Sequence, residues 1–373
     1  MKWTYIICCF LLLIINSGCT SPNLEHPVIE DLGMIGVMGF DYVDAKNVKV
    51  SITLPQPSQD VEEPGQQFSS VVKMPHEAIM DMSTLTEKTL TPAQLRVLLF
   101  SEEYARKEGL WKILENLYRD PQVGTNIFIA VVKGTVEDIL TGEYKDKPDI
   151  NDYLIDLLTP RTITAFSPFT TIHDFIYRNT DEVSDPSTPY IESVEEGSLK
   201  ITKVAIFKND HMVDTMESEE AKLIEAMKKR KELPDFSISI PAPDGTLQDE
   251  EMVTLKFVNT RYHVKVNGDL EKPKLFIYLY VRGSIVDYEG KKDLATQDNR
   301  IEIEKKLEKQ LEDKVIKTVR KFQKHGIDPV GFGESFRIQN AREWKKEKWI
   351  AALQRADITT HVETRIISTG TIR

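Results

Sequence analysis

The stretch LRVLLFSEEYARKEGLWKILENLYRD, residues 95–120, followed by NIFIAVVK at residues 126–133, decides the fold of the first half of this chain. Leu95–Phe100 is a short apolar run, typical of a strand that is buried on both faces. The segment after it has one apolar helical face, formed by Leu110, Ile113, Leu114 and Leu117. Asn126–Lys133 has the pattern of a second buried strand. A strand, a helix and a strand in this order predict a crossover unit whose sheet is covered on at least one face.

Two acidic residues, Glu102 and Glu103, follow the first of these strands directly. A carboxylate pair in that position could serve as an acid/base pair. However, Ser101 is a favourable N-cap, and acidic side chains stabilise the first turn of a helix. We therefore interpret Glu102 and Glu103 as the start of a helix.

The segments around this unit predict further strands and helices. Glu30–Asp41 is an apolar run interrupted by glycines and predicts a strand, and the alternating Val48–Leu54 predicts its hairpin partner. The segment between Pro55 and Gln67 is rich in proline and predicts a surface loop. Helical patterns occupy Met74–Leu85, Thr135–Leu140 and Asp149–Leu158.

The second half begins after a polar, proline-containing stretch at residues 178–197, which we interpret as a linker. Beyond it, the sequence predicts a hairpin, a helix, two long strands and a long amphipathic helix. His211 lies beside the hairpin turn, so we expect it to be exposed and not a metal ligand. The hairpin is predicted at Ser198–Lys208 with His211–Met216, and the helix after it at Ser218–Lys231. The two long strands are predicted at Val253–Val266 and Lys274–Val281. The long helix is predicted at Asn299–Lys324 and ends at the predicted C-cap Gly326.

The composition is that of an acidic globular protein, with 40% hydrophobic and 29% charged residues. The chain has 59 Asp and Glu residues against 48 Lys and Arg residues. This balance argues against nucleic-acid binding and against a broad electrostatic attachment to anionic lipid. The three cysteines, Cys8, Cys9 and Cys19, all lie near the N-terminus, so disulfides play no part in the body of the protein.

The N-terminal sequence MKWTYIICCFLLLIINSGCT resembles a bacterial lipoprotein signal peptide. Lys2 supplies a positive charge, and Tyr5–Ile15 is an apolar run of roughly 16 Å as a helix, too short to span a bilayer comfortably. We expect cleavage between Gly18 and Cys19 and lipidation of Cys19. The alternatives are an ordinary secretory signal or an uncleaved anchor.

These patterns together predict an α+β fold with several domains. We expect mixed β-sheets, each flanked by helices, and a long amphipathic helix near the C-terminus. The predicted divisions are a cleaved signal peptide at 1–18, an N-terminal α/β domain at 19–177, a linker at 178–197 and a C-terminal α+β domain at 198–373, whose subdivision stays open.

Motifs of common enzyme classes are missing from the sequence. It contains no GxSxG elbow, no P-loop and no HExxH, and its seven histidines are scattered. We therefore assign no catalytic residue, no metal ligand and no cofactor. Because the chain is so acidic, a glycosidase-like carboxylate pair remains open.

Several blocks in the correct order resemble the C-subunit lipoproteins of spore germinant receptors, the Ger(x)C family. The C-terminal block contains GIDPVGFG at residues 326–333, then Trp344, Trp349 and the closing segment Asp357–Arg373. Other blocks are IEDLGMIGVMGFD, LRVLLFSEEYA, NLYRDPQVGTNIFIAVVKG and VAIFKNDHMVDTMESEEAKLI. We expect Gly331, Gly333 and the two tryptophans to serve core packing and tight turns more than partner contacts.

The resemblance implies a multi-domain, non-enzymatic subunit that is anchored by Cys19 on the outer face of the spore inner membrane. Its partners would be two integral membrane subunits, A-type and B-type, in a complex that responds to nutrients. The alternative is a lipid-anchored protein that binds a small solute between its domains and presents it to a permease. A pocket between domains with convergent polar groups favours this alternative.

Overall fold

The computed structural model describes residues 28–55, 65–160, 168–194, 197–228, 232–240, 251–267, 270–339, 341–342 and 344–369. The predicted signal peptide at residues 1–18 and the predicted lipidation site at Cys19 lie outside these residues. Most of the predicted loop between Pro55 and Gln67 also lies outside them. None of the helices in the described ranges is long and apolar enough to cross a membrane.

The predicted crossover unit forms the centre of the N-terminal half. Strands β6 (Val97–Ser101) and β7 (Phe128–Val132) are parallel neighbours, with Val97 opposite Phe128. The connection contains two helices, α2 (Glu102–Lys107) and α3 (Trp111–Arg119), where the sequence predicted one. The break falls at Gly109, whose φ of +72° suits glycine. A Cβ at this position would collide with Asp210 and His211. The close approach of the hairpin turn at Asn209–Asp210 therefore explains the interrupted helix.

An eight-stranded mixed sheet is built around this unit, and its central strands are parallel. Val48–Leu54 is the hairpin partner of the preceding strand, as predicted. A separate parallel pair, β1 (Leu32–Met34) and β5 (Thr89–Thr91), lies beside short 3₁₀ turns at Ile29–Asp31 and Pro92–Gln94. The order across the large sheet is β10 (His211–Glu217), β9 (Ser198–Lys208), β8 (Ser187–Val194), β7, β6, β2 (Val37–Asp44), β3 (Asn47–Leu54) and β4 (Gln66–Val72).

Both faces of this sheet are covered by helices. Alternate residues of β6 point to opposite cores, so that Leu98 and Phe100 join one cluster and Val97 and Leu99 join the other. The first cluster includes residues of α1 (Pro75–Met82), α2, α3 and α6 (Ile172–Thr180). The second includes residues of α4 (Val136–Thr141) and α5 (Ile150–Leu158). The continuous apolar pattern of β6 thus reflects burial on both faces.

The interpretation of residues 178–197 as a linker was wrong. Helix α6 continues to Thr180, within the predicted linker. Ser187–Val194 form β8, an inner strand between β7 and β9. Four consecutive residues of β8, Thr188 to Ile191, are buried. Pairing on both sides satisfies the backbone of this segment, so its serine, proline and glutamate residues do not make it a loop. The large sheet also continues beyond residue 198 into β9 and β10. The domain boundaries themselves remain a prediction.

The C-terminal half contains a second, five-stranded sheet. Strand β13 (Glu251–Val266) pairs with β14 (Lys274–Glu289), and β14 pairs in parallel with the edge strand β15 (Asp357–Ile366). Strands β11 (Glu232–Leu233) and β12 (Phe236–Ile240) pair with the other side of β13. The helices of this half are α7 (Ser218–Met227), α8 (Gln297–His325), α9 (Gly333–Gln339) and α10 (Lys346–Leu353).

The long helix α8 has the apolar stripe that its sequence predicted, and it packs on the inner face of this sheet. Ile303, Leu307, Leu311, Val315, Val319 and Phe322 are all fully buried. The helix ends at Gly326, a left-handed C-cap with φ +63°, as predicted. Its buried cluster also contains Ile206 of β9 and Met216 of β10, so one continuous apolar core joins the two halves.

A row of carboxylates on α8 covers the free edge of β15. Glu312, Glu308 and Glu304 accept hydrogen bonds from the backbone amides of Val362, Thr364 and Ile366, at 3.0, 3.0 and 2.7 Å. Four residues of helix rise by about 6 Å, which is close to the roughly 6.6 Å span of two strand residues. The two spacings therefore match over the three amides from Val362 to Ile366. An edge covered in this way offers fewer free amides for pairing with another chain.

We expect Glu308→Ala to lower the free energy of unfolding by about 2 kcal/mol, because it removes a charged acceptor from the partly buried amide of Thr364. Urea unfolding and hydrogen exchange of that amide measure the effect. Glu308→Gln, which keeps an acceptor oxygen, is the matched control and should cost less. Unchanged exchange of the Thr364 amide in the alanine variant would contradict this role of the helix.

Candidate functional site at the junction of the two halves

The predicted carboxylate pair begins a helix, as the sequence indicated. Ser101 Oγ accepts a hydrogen bond from the Tyr104 amide at 3.3 Å, and Glu103 pairs with Lys107 at 2.7 Å. Glu102 accepts hydrogen bonds from Arg106 and from the Tyr190 hydroxyl. Burial tends to raise the pKa of Glu102, but these two donors outweigh it and hold the pKa below its usual value. The arrangement is that of a capped helix with paired side chains.

A crevice of about 430 Å³ lies at the carboxyl ends of the parallel strands, next to this helix start. Its buried carboxylate, Asp41, accepts hydrogen bonds from the amides of Val136 and Glu137 at 2.7 and 3.1 Å. Burial raises the pKa of Asp41, although these amides act in the opposite direction. The cation that lines the crevice, Arg106, is already paired with Glu102. The crevice is therefore acidic and holds its polar groups in internal contacts.

His211 is exposed beside the β9–β10 turn, as predicted, and its Nδ1 lies 3.0 Å from Asp210 Oδ1. Asp210 also accepts a hydrogen bond from the Trp111 amide at 3.2 Å. Across the described ranges, no group of three or more His, Cys, Asp or Glu side chains is arranged to hold a metal ion.

The C-terminal motif at residues 326–333 folds around one buried carboxylate, Asp328. Asp328 Oδ1 accepts from the amides of Gly331 and Phe332 at 2.8 and 3.0 Å. Asp328 Oδ2 accepts from the Gly333 amide at 2.8 Å and from Trp349 Nε1 at 2.9 Å. Four donors thus converge on a carboxylate that is fully buried. Sequence reasoning did not single out Asp328; the available signal was an aspartate immediately before a proline- and glycine-rich turn.

The two tryptophans and the glycines of the motif pack together, as we expected. Trp349 is fully buried and stacks on Phe336 with ring centroids 5.6 Å apart, and Trp344 lies 6.2 Å from the same ring. A Cβ at Gly333 would lie 2.7 Å from Trp349 Nε1, so only glycine fits there. Gly331 has φ +84°, which also suits glycine. These residues build the core around Asp328.

The Asp328 cluster also fastens the C-terminal half to the N-terminal half. Asp185, only 2% exposed, accepts a hydrogen bond from the Asp328 amide at 2.7 Å, and its own amide donates to the Asp328 carbonyl at 3.1 Å. Lys346 pairs with Asp185 at 3.0 Å. Burial raises the pKa of Asp328 to about 6; the amides of Gly333 and Phe332 and the indole of Trp349 oppose this shift, and the nearby Asp185 adds to it. We call these residues, Asp185, Asp328, Lys346 and Trp349, the junction clamp.

A second contact between the halves joins the end of α8 to β10, which is the edge strand of the eight-stranded sheet. His325 Nε2 lies 3.0 Å from Asp214 Oδ2, and Lys321 lies 3.6 Å from the same oxygen. Burial tends to raise the pKa of Asp214, but the Thr215 amide, Lys321 and His325 together lower it. The halves are therefore held by polar contacts as well as by a shared apolar core.

A pocket of about 180 Å³ lies at the same junction, between α6, α7 and the inner strands β8 and β9. Three cationic side chains, Arg178, Lys222 and Lys228, line it together with Asp174, Glu225 and Phe169. Burial lowers the pKa of Lys228, and the neighbouring Arg178 contributes in the same direction, whereas Glu225, at 3.5 Å, opposes it.

One wall of this pocket carries a hydroxyl without a partner. Thr188 is 1% exposed, and its Oγ1 has no hydrogen-bond partner among the described residues. Lys222, by contrast, donates to the Asp235 carbonyl at 2.7 Å. Arg178, Lys228 and the Thr188 hydroxyl are therefore the groups that a small anion or a carboxylate-bearing solute would meet. This pocket, which we call the junction pocket, has the position and the polar groups that the solute-binding alternative requires.

Comparisons with known proteins agree across almost the whole chain. A family model described as "Spore germination protein N-terminal domain" matches residues 25–193, and one described as "Spore germination B3/ GerAC like, C-terminal" matches residues 202–370. Spore germination protein GerQC of Bacillus cereus is 22% identical over 99% of both chains. Spore germination protein B3 of Bacillus subtilis (strain 168) is 22% identical over 97% of both chains.

Comparison of the fold with solved structures gives the same result. The crystal structure of the GerBC protein superimposes with a TM-score of 0.54, covering 88% of this chain and 96% of that one at 18% sequence identity. The mixed sheets, their flanking helices and the long C-terminal helix make this an α+β fold, as the sequence predicted. The chain therefore belongs to the Ger(x)C family of spore germination proteins and has a role in spore germination.

Proposed function

We propose that this protein is a non-catalytic, lipid-anchored subunit of a nutrient germinant receptor, located on the outer face of the spore inner membrane. Its membership of a spore germination family over nearly the full chain length carries this proposal. The N-terminal sequence supports the anchor, because small residues precede Cys19 after a short apolar run. Two acyl chains would hold the protein firmly on a bilayer, whereas one chain binds only marginally.

A structural role for the buried acidic groups supports the non-catalytic part of the proposal. Asp328 uses both oxygens to accept four internal hydrogen bonds, and Glu102 is paired with Arg106 and Tyr190. A general acid or base must reach a substrate proton. Neither carboxylate is free to do so without breaking contacts that hold the fold.

Assembly with two integral membrane subunits is the part of the proposal that defines the receptor. The experiment that tests it is purification of the tagged protein from spore inner membrane, followed by identification of the proteins that accompany it. Two polytopic membrane proteins, one A-type and one B-type, are the expected companions.

Direct binding of a small solute is a second candidate function, and the junction pocket favours it. The pocket lies between the halves, and its volume of about 180 Å³ suits a molecule of the size of an amino acid. Arg178 and Lys228 provide positive charge for a carboxylate, and the Thr188 hydroxyl is available to it. In this case the subunit would sense the nutrient as well as assemble with its partners.

If the junction pocket binds nutrients, we expect one or more amino acids to raise the melting temperature of the wild-type body, with the effect lost in Lys228→Met. A Kd one hundredth of the ligand concentration corresponds to about 2.7 kcal/mol of added stability, which thermal-shift assays detect readily. Lys305→Met, an exposed change on α8, is the matched control. Equal thermal shifts for wild type and Lys228→Met would place any binding elsewhere.

A further inference from the structure

The outer face of the C-terminal sheet is left open by the described elements. Along β14, Leu275, Ile277, Leu279 and Val281 are buried toward α8. The alternate residues of the same strand point to the other side, where Tyr278 and Arg282 are exposed and Phe276 and Tyr280 are partly exposed. We call the side of β13, β14 and β15 that bears these residues the outer face.

Aromatic rings form the centre of the outer face. Tyr278 lies between His263 of β13 and His361 of β15, with ring centroids 6.2 and 6.3 Å away. Tyr280 is opposite Arg261, whose guanidinium lies 5.9 Å from the ring centroid. Phe276 is opposite Lys265 in the same register. The register of three strands thus combines rings from β14 with cations and histidines from its neighbours.

The central part of the outer face, where β13, β14 and β15 all pair side by side, is locally basic. Within residues 259–266, 274–283 and 357–366, the exposed cations are Arg261, Lys265, Lys274, Arg282 and Arg365, and the carboxylates are Asp357 and Glu363. Glu232, Asp287 and Glu289 flank this region. No described carboxylate forms an ion pair with Lys265, Arg282 or Arg365, whereas many cations elsewhere are paired. A locally basic surface on a chain of net charge −11 indicates an anionic partner.

One end of the outer face carries exposed apolar side chains. Phe257 is 64% exposed, Ile367 is 59% exposed and Val286 is 43% exposed. Phe257 lies in a β-bulge between the pairs Lys256–Ser284 and Asn259–Arg282, and its φ of +53° is an unfavourable backbone conformation for a bulky residue. The fold therefore keeps an exposed phenyl ring beside a basic, aromatic surface, in an unfavourable backbone conformation. Contact of this ring with an apolar medium would offset the free-energy cost of that conformation.

We propose that the outer face docks on an anionic phospholipid surface and fixes the orientation of the protein on the membrane. Tyrosine suits the level of the lipid headgroups, lysine and arginine attract anionic lipid, and Phe257 with Ile367 would enter the acyl boundary. Net acidity argues against a broad electrostatic attachment, but attraction to a membrane depends on the charges within a Debye length of it. This contact needs no lipid on Cys19 and is independent of the proposed receptor assembly.

The test uses the mature chain from Thr20, which lacks the lipid-bearing cysteine. All three apolar cores lie between residues 35 and 366, so the body does not need the N-terminal segment to fold. Co-sedimentation with vesicles of phosphatidylcholine, with and without phosphatidylglycerol, measures binding. Each cation near an anionic surface strengthens binding by about fivefold. We expect Lys265→Glu/Arg282→Glu/Arg365→Glu to weaken binding to the anionic vesicles by roughly a hundredfold or more.

The matched control reverses three exposed lysines of α8, Lys305, Lys309 and Lys317, which changes the net charge equally on the opposite side of the sheet. It should bind as the wild type does. A second measurement avoids charge reversal: the fluorophore NBD on Ile367→Cys should shift to the blue with anionic vesicles, whereas on Met80→Cys it should not. The chain from Thr20 has no other cysteine.

Three outcomes would overturn the proposal. The first is no preference of the wild type for anionic over neutral vesicles, and the second is equal loss of binding in both triple variants. The third is self-association that depends on the outer face without vesicle binding, which would assign this face to a second copy of the chain.

Discussion

Replacing Asp328 with alanine is expected to lower the free energy of unfolding by about 4 kcal/mol, the largest stability effect that we predict. The variant would leave the amides of Gly331, Phe332 and Gly333 and the indole N–H of Trp349 without their acceptor. All four donors lie in the core, where an unpaired polar group is costly. Urea unfolding followed by tryptophan fluorescence measures the effect.

Asp328→Asn is the matched control. Its amide oxygen can still accept from two of the four donors, but its NH₂ group would face the other two. We therefore expect Asp328→Asn to lower the free energy of unfolding by less than the alanine variant does. An alanine variant with the wild-type unfolding midpoint would show that the junction clamp does not hold the two halves together.

Comparison of the wild type with Asp328→Asn also reveals how the stability contributed by the junction clamp depends on pH. Because burial raises the pKa of Asp328 in the folded state to about 6, from an ordinary value of 3.8, folding favours the protonated form. Its contribution to stability is fully present below about pH 4 and is lost as the pH rises through 6. The stability of the wild type relative to Asp328→Asn should therefore fall across this window, by on the order of 3 kcal/mol. A constant difference from pH 4 to pH 7 would contradict the raised pKa.

Cys19→Ala is expected to abolish lipidation, which is the largest functional effect that we predict. Each buried acyl methylene contributes about 0.8 kcal/mol to membrane binding, so the loss of the acyl chains removes the main contribution and leaves only the weaker contact of the outer face. The measurements are the mass of the N-terminal peptide and the division of the protein between membrane and soluble fractions. The body of the protein should remain folded, because its three apolar cores lie between residues 35 and 366.

Cys9→Ala is the matched control for this experiment, since Cys9 lies inside the predicted signal peptide. It should leave both the lipid and the membrane fraction unchanged. Retention of Cys19→Ala in the membrane at the wild-type level, together with an unmodified Cys19 in the wild type, would instead support an uncleaved anchor.

The sequence predicted those features of the fold that depend on local pattern. The apolar run at Leu95–Phe100, the cap at Ser101 and the stripe of α8 each follow from the spacing of a few neighbouring residues. The segment containing β8 was misread for the same reason: its local composition resembles a loop, and only its pairing with β7 and β9 makes it a strand.

The junction clamp and the outer face could not be predicted, because both depend on contacts between distant parts of the chain. Asp185 and Asp328 are 143 residues apart, and Glu308 meets an amide 56 residues away. The alternation of Arg261, His263 and Lys265 was visible in the sequence, but the strand register was needed to place them opposite Tyr280, Tyr278 and Phe276. A net charge likewise averages over surfaces of opposite sign.

Purification of the tagged protein from spore inner membrane tests the proposed receptor subunit most directly. The account predicts that two integral membrane proteins, one A-type and one B-type, accompany the wild type in constant proportion, and that Cys19→Ala recovers much less of both. Recovery of the wild type from the membrane without any integral membrane partner would contradict the account, and solute binding in the junction pocket would then become the leading function.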